Sequence, residues 1–222
     1  MRSRKVLGER RARMDYHQPM SVLALNGGSS SVKCALYSNA DLPAPLWRGS
    51  GEGAGTAAGT WSGPAEDGAV KAERRLGAMT PAQTARALID WLRSLAGMGS
   101  VDAIGHRIVH GGTRVSTHQR ITPDLMAELD RAVPLDPSHL PAALALIRAC
   151  ESAFNQVPQV ACFDTVFHRD LPAVAKILPI PRRFDRAGVR RYGFHGLSYE
   201  FLMSELERIG RPGEVRGRVI LA

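Results

Sequence analysis

Read for the alternation of apolar and polar positions, the chain first becomes regular at Ser21. Residues 21–26 and 32–37 are two apolar runs of strand length. Between them, Asn26-Gly27-Gly28-Ser29-Ser30-Ser31 offers two glycines free to take positive φ and three hydroxyls. The pair therefore reads as a hairpin whose tip is crowded with hydrogen-bond donors. Residues 40–68 are rich in Gly, Pro and Ala, with Trp47 and Trp61 as packing anchors, which predicts short twisted strands and loops. Thr80-Pro81-Ala82-Gln83 opens a helix: Thr80 caps it, Pro81 sits in the first turn, and Gln83 completes a capping box. Ala85, Leu88, Leu92 and Leu95 then recur at helical spacing as far as Gly97.

A strand is predicted over residues 101–109, broken at Gly111-Gly112. Thr122-Pro123 starts a short helix, residues 141–150 form a second, and residues 158–163 read as a buried strand before a loop carrying Asp164 and His168. This order of hairpin, helix, strand, helix and strand predicts an α/β fold. Its polar residues collect at strand ends, where open α/β sheets place their sites.

Composition changes this picture little, since 44% hydrophobic residues is ordinary for a globular chain. The net charge of +8 invites a polyanion-binding reading, but half of it lies in residues 1–19, which carry six Lys or Arg against Glu9 and Asp15. That segment is either a basic tail or a stretch upstream of a true start at Met20 or Met14; the abrupt onset of order at Met20 favours the second. The core carries no nucleic-acid reader motif. Residues 22–25 are too short for a signal-peptide core, and no stretch approaches the roughly 20 apolar residues of a membrane span. The expectation is a cytoplasmic protein with neither a nucleic acid nor a membrane as partner. Cys34, Cys150 and Cys162 are odd in number, far apart and set among apolar residues. They read as small buried hydrophobes in a reducing compartment.

Four blocks carry candidate chemistry. The turn from Asn26 to Ser31, followed by Lys33, can surround a phosphate with N–H groups, hydroxyls and an ammonium, although it is not a P-loop; a plain Gly-Ser turn with a surface lysine is the alternative. His106-Arg107-Ile108-Val109-His110-Gly111-Gly112 sets Arg107 and Val109 on one face of a strand, so one can fork onto a carboxylate or phosphoryl group while the other walls an apolar pocket. His106 and His110 read as satisfied core or turn residues, whereas a guanidinium on a buried strand needs an anionic partner. Phe163-Asp164-Thr165-Val166-Phe167-His168 puts a carboxylate just past a strand, where Asp164 can ligate a divalent ion, orient an attacking group or, most simply, cap the next segment. Tyr192-Gly193-Phe194-His195-Gly196 holds an imidazole able to donate to a phosphoryl oxygen. His139 is a weaker signal of the same kind.

Taken together and in this order, these blocks resemble the acetate kinase family, within the acetate and sugar kinase, Hsp70 and actin superfamily. The resemblance runs from Met20 to Ala222 and includes a degraded fifth block, Pro137-Ser138-His139-Leu140-Pro141. It implies a ribonuclease H-like, actin-like ATPase fold and the reaction ATP plus acetate giving ADP plus acetyl phosphate by in-line transfer, with Mg²⁺ (or Mn²⁺) as cofactor. By resemblance, Asn26 helps hold the metal, and Ser29, Ser31 and Lys33 lie near the nucleotide phosphates. Arg107 binds the acyl substrate, Asp164 is the active-site aspartate, and His195 and His139 contact the phosphoryl group in flight. Val109 and Phe194 wall the acyl pocket. Propionate or butyrate as substrate is the alternative, and a homodimer is implied for the complete enzyme.

Family members usually have a bulky apolar residue at Ser138 and Asn at Leu140, and read Gly-Thr-Ser-His where this chain reads Gly196-Leu197-Ser198-Tyr199. They are also about twice as long. The resemblance thus makes the chain an N-terminal portion that includes the first actin-like domain and the beginning of the second. It would stop before a glycine-rich nucleotide loop, a second phosphoryl-binding arginine and a metal-associated glutamate. Little or no kinase activity is expected of these 222 residues alone. A strand near Val219, left exposed, is expected to limit solubility.

Overall fold

The computed structural model describes residues 20–28, 31–38, 45–53, 56, 58–63, 72–95, 101–210 and 219–220. The basic segment 1–19 and Ser29 lie outside them.

The predicted hairpin forms from β1 (Ser21–Gly27) and β2 (Ser31–Ser38), paired antiparallel from Ser21↔Ser38 to Gly27↔Val32. The Gly-, Pro- and Ala-rich stretch supplies β3 (Pro45–Glu52) and β4 (Thr60–Gly63), and β5 (Ala72–Arg75) completes an antiparallel meander. Both tryptophans anchor it as expected, and a third joins them: Trp91 lies edge-on to Trp61 at 4.9 Å and to Trp47 at 6.4 Å between ring centroids. These rings explain glycines in the strands, because a Cβ at Gly49 would come within 2.7 Å of Trp61 and one at Gly63 within 2.6 Å of Trp91.

Helix α1 (Pro81–Ser94) begins with the predicted capping box: Thr80 accepts from the Gln83 N–H at 3.3 Å and Gln83 accepts from the Thr80 N–H at 2.9 Å. Its last cap is Leu95. The next strand, β6 (Ala103–Ile108), begins two residues later and ends one earlier than the apolar run suggests. Pairing sets these limits, since β1 is matched from Val22↔Ala103 and β8 carries the ladder to Ile108↔Phe163. Then come the two-residue β7 (Gln119–Arg120), α2 (Pro123–Ala132) capped by Thr122, α3 (Leu140–Ala153) and β8 (Gln159–Phe163). The sheet order is β5-β4-β3-β2-β1-β6-β8-β7, with β1, β6 and β8 parallel.

Helices α1 and α3 cover one face of this sheet. Leu23, Leu25, Val32, Cys34 and Ile104 meet Leu88, Ile89, Leu92, Leu146 and Cys150 there. Each such fully buried Leu or Ile contributes about 1.5–3 kcal/mol. A second cluster joins Ile108, Ala161 and Phe163 to Leu129, Leu140, Leu144 and Ile147. Burial pushes the Cys34 and Cys150 thiols up to about 12, so both act as small hydrophobes as the sequence suggests. Cys162 departs from that reading: it is only half-buried, because its strand position faces away from the helices.

Past β8 the expected loop is instead a 3₁₀ helix, Asp164–His168, followed by the short α4 (Ala173–Lys176) and α5 (Arg182–Arg186) and by α6 (Gly196–Ile209). Val219 and Ile220 are exposed and are not in a strand; no described neighbour pairs with them.

Candidate active site

Register places the polar side chains in a row. Lys33 on β2 is the partner of Asn26 on β1, Asn26 of Arg107 on β6, and Arg107 of Cys162 on β8. Partners across a ladder project from the same face, so this row stands on the face away from α1 and α3. The neighbouring row, Cys34, Leu25, His106 and Ala161, is buried under the helices.

Arg107 finds its anion in Asp164. Nη2 donates to Oδ2 at 2.7 Å and Nε lies 3.2 and 3.3 Å from the two carboxylate oxygens, while Nη1 donates to Asn26 Oδ1 at 3.2 Å. The Asp164 side chain is 1% exposed and that of Arg107 27%. This corrects the simplest sequence reading of Asp164, since no side-chain cap opens the 3₁₀ segment and the carboxylate is spent on the guanidinium. Removing a carboxylate from water is costly unless it is paired, and a bidentate guanidinium is the partner best matched to it.

One cleft of about 530 Å³ gathers most of the predicted residues. Asn26, Ser31, Lys33, Arg107 and Val109 line it from the strands and their ends, and His139, Phe194 and His195 complete the lining. Gly28 N–H donates to the Ser31 carbonyl at 2.7 Å, which closes the hairpin tip beside Asn26. His195 adopts a left-handed φ of 58° as the residue before α6. Its flanking glycines are there for close approach: a Cβ at Gly196 would collide with the Asp164 carbonyl oxygen, and one at Gly193 with the His168 ring. The start of α6 is thereby packed onto the segment that carries Asp164.

The two histidines read as core or turn residues are satisfied in that way. His106 is buried, hydrogen-bonded to Gln159 Oε1 at 2.7 Å, and pushed down to about 4 by desolvation despite that bond. His110 Nδ1 accepts from the Gly112 N–H at 2.8 Å, and burial, with Arg190 adding and Asp136 opposing, lowers its pKa. His110 nevertheless lines the cleft, as does Asp136, and neither was singled out for the site from sequence. Asp136 Oδ1 lies 2.8 Å from His139 Nδ1. The sequence signal for it was available: an Asp-Pro opening a turn, with the histidine three residues on.

The acetokinase family model matches residues 21–220. The chain belongs to the acetokinase family. It is 38% identical to an acetate kinase of Methylocella silvestris, over 90% of this chain and 52% of that protein. Among solved structures it resembles a propionate kinase from Francisella tularensis (TM-score 0.74, 33% identity, 86% of this chain and 49% of that one). It also resembles the acetate kinase of Porphyromonas gingivalis (TM-score 0.72, 31% identity, 87% and 50%). The actin-like ATPase fold expected from the motifs is therefore the observed one, and the chain spans about half the length of the relatives it matches.

The chain's departures from the usual family pattern have visible settings. Ser138 is exposed, so the bulk missing there is missing at the surface. Leu140 is 1% exposed and belongs to the second core cluster. Tyr199, at the position of the family's second histidine, packs its ring against Phe167 and His168 at 5.7 and 5.8 Å. Among the described residues no helix is long and apolar enough to cross a membrane.

Proposed function

We propose that the complete protein transfers a phosphoryl group between ATP and acetate, as an acetate kinase of the cytoplasm. The observation that supports this most is the convergence of Lys33, Arg107, His139 and His195 on one cleft with an apolar wall. Phosphoryl transfer asks mainly for alignment and for positive charge on the equatorial oxygens, and these four side chains supply donors for both.

In this reading Asp164 holds Arg107 through Nε and Nη2, leaving the Nη1 edge beside Asn26 to meet the carboxylate or phosphate of the acyl substrate. Asp164 is itself too buried to reach a substrate. Acetate is already ionised at neutral pH, so no general base is required of it, and its part is to orient the guanidinium. His195 and His139 donate to the phosphoryl oxygens. Ser29, Ser31 and Lys33 meet the nucleotide phosphates, and Val109 and Phe194 enclose the acyl methyl.

The residues present suit a divalent cation held lightly. Asn26 Oδ1 is a hard oxygen at the cleft that already accepts from Arg107 Nη1 at 3.2 Å and so offers a cation its second lone pair, and no cluster of three or more His, Cys, Asp or Glu competes among the described residues. Mg²⁺ takes few protein ligands and completes its shell with phosphates and water, and Mn²⁺ accepts similar donors. Such an ion, when bound, neutralises phosphate charge. Propionate is the second reading, favoured by the likeness to a propionate kinase. One methylene in an apolar pocket is worth only about 1–3 kcal/mol, so both acids are expected to react at different rates. The family carries the further expectation of a homodimer for the complete enzyme.

The test is an assay of the complete gene product with ATP, Mg²⁺ and acetate, propionate or butyrate. Acyl phosphate should form with at least one acid, and Arg107→Ala should reduce kcat/KM by about 10²–10³. Formation of no acyl phosphate, or full activity in Arg107→Ala, would refute the reading.

A further inference from the structure

Among the described residues, His139 is the cleft histidine whose ring is hydrogen-bonded to a carboxylate. Asp136 Oδ1 lies 2.8 Å from His139 Nδ1 and also accepts the His139 backbone N–H at 3.3 Å. Asp136 is itself fixed: its N–H donates to the Val133 carbonyl, its carbonyl accepts from Leu140 N–H, both at 3.1 Å, and Pro137 follows. Its side chain is 11% exposed and that of His139 43%. Its second oxygen, Oδ2, is buried without a hydrogen-bond partner.

We propose that Asp136 is a positioning residue, which holds the His139 imidazole by Nδ1 and so presents Nε2 as the nitrogen available to a phosphoryl oxygen in the cleft. The inference rests on the phosphoryl-transfer reading above. A carboxylate can only accept, so the proton between the two groups belongs to Nδ1. The neutral ring is thereby confined to one tautomer, and the imidazolium donates from Nε2 while Nδ1–H stays on Asp136. A ring without this hold could turn on its Cβ and present either nitrogen. The contact to the ring is shorter than the contact to the backbone, which distinguishes the arrangement from a simple turn cap. The same arrangement of a carboxylate behind a working histidine fixes tautomer and orientation in metal sites and hydrolases.

Asp136→Ser separates capping from positioning. A serine hydroxyl still accepts the turn N–H, but it is too short to serve the ring as well. The chain is labelled with ¹⁵N-histidine and long-range ¹H–¹⁵N spectra are recorded at pH 8.5 for the tautomer, while inorganic phosphate is titrated in at about pH 5.5, where an imidazole carries both protons and Nε2–H can donate. The wild-type His139 ring should be the Nδ1–H tautomer. Asp136→Ser should shift it to the Nε2–H form at pH 8.5 and, at the lower pH, weaken phosphate about tenfold, the size of one lost hydrogen bond, because the imidazolium is no longer held with Nε2–H towards the cleft. Asp136→Asn, whose side-chain carbonyl still accepts from Nδ1, should restore both readouts. An Nε2–H ring in the wild type, or a ring unmoved by Asp136→Ser, overturns the proposal, and the first of these needs no variant to fold. A tautomer that shifts with no change in phosphate affinity, while Arg107→Ala weakens phosphate, overturns it too. If Arg107→Ala also leaves phosphate binding untouched, the phosphoryl-transfer reading itself has failed.

Discussion

The two faces of the central sheet are built from alternate residues of the same strands and have opposite chemistry. On β6, Ile104 is fully buried under the helices, and its neighbour Gly105 looks out on a face where an added Cβ would meet nothing within 4 Å. One residue further, His106 is back in the core as a neutral imidazole, and Arg107 is out on the open face with its charge. On the covered face the buried imidazole is neutral and hydrogen-bonded, and other polar atoms there, such as Trp61 Nε1 and Thr84 Oγ1, are uncharged. The open face keeps a guanidinium, an ammonium and an amide in one row, and Asp164, the single deeply buried carboxylate among the described residues, exists there because Arg107 meets it.

The largest effect that would break this contrast is Arg107→Ala, which strands a carboxylate that is 1% exposed. It should cost about 3–5 kcal/mol in urea unfolding. Asp164→Ala should cost less, because the orphaned guanidinium keeps both water and Asn26. A loss below 1 kcal/mol for Arg107→Ala would show that the pair does not form.

Acid should break the covered face next. The His106 imidazole titrates near 6.5 when unfolded and near 4 in the fold, where burial depresses it. Below pH 6.5 the unfolded chain therefore takes up a proton that the folded chain refuses, and stability falls until about pH 4, where this contribution levels off. The full gap is worth about 3 kcal/mol. A thermal melt series across that window should show it, and His106→Gln should flatten it; an identical slope in the variant would remove His106 as the cause.

The smallest effect sharpens the contrast. Gly105→Ala should stabilise the strand by about 0.5 kcal/mol, by lowering chain entropy at a site with open space. Destabilisation beyond 1 kcal/mol would mean that something covers this face in solution.

Local chemistry in the sequence was legible. The Thr80 capping box, the β1–β2 hairpin and the Thr122 cap are decided within a few residues, and each stands where the pattern put it. What the chain could not show locally was register between strands far apart. Arg107 was recognisable as needing an anion, but nothing near it named Asp164 as that anion, and Asp164 alone looked like a cap. The Asp136 grip on His139 is short-range and legible as an Asp-Pro turn with the histidine three residues on, although a Pro-Ser-His-Leu-Pro block by itself does not include it. The half-buried Cys162 was misread for the same reason as Asp164, since only its pairing opposite Arg107 turns it outward. Ser31, Lys33, Val109, Phe194 and His195 share one cleft, and the roles proposed for them come from the family resemblance.

The separations within the site also set a schedule. Asn26 and Arg107 are 81 residues apart in the chain, and Arg107 and Asp164 are 57 apart. At a synthesis rate of about 5–20 residues per second, the guanidinium leaves the ribosome roughly 3–11 seconds before the carboxylate that will hold it. During that interval the hairpin and α1 already have their local partners, while Arg107 can meet Asn26 and water but not its carboxylate. The meander and its tryptophans can form early, and the cleft is complete only after His195 has followed.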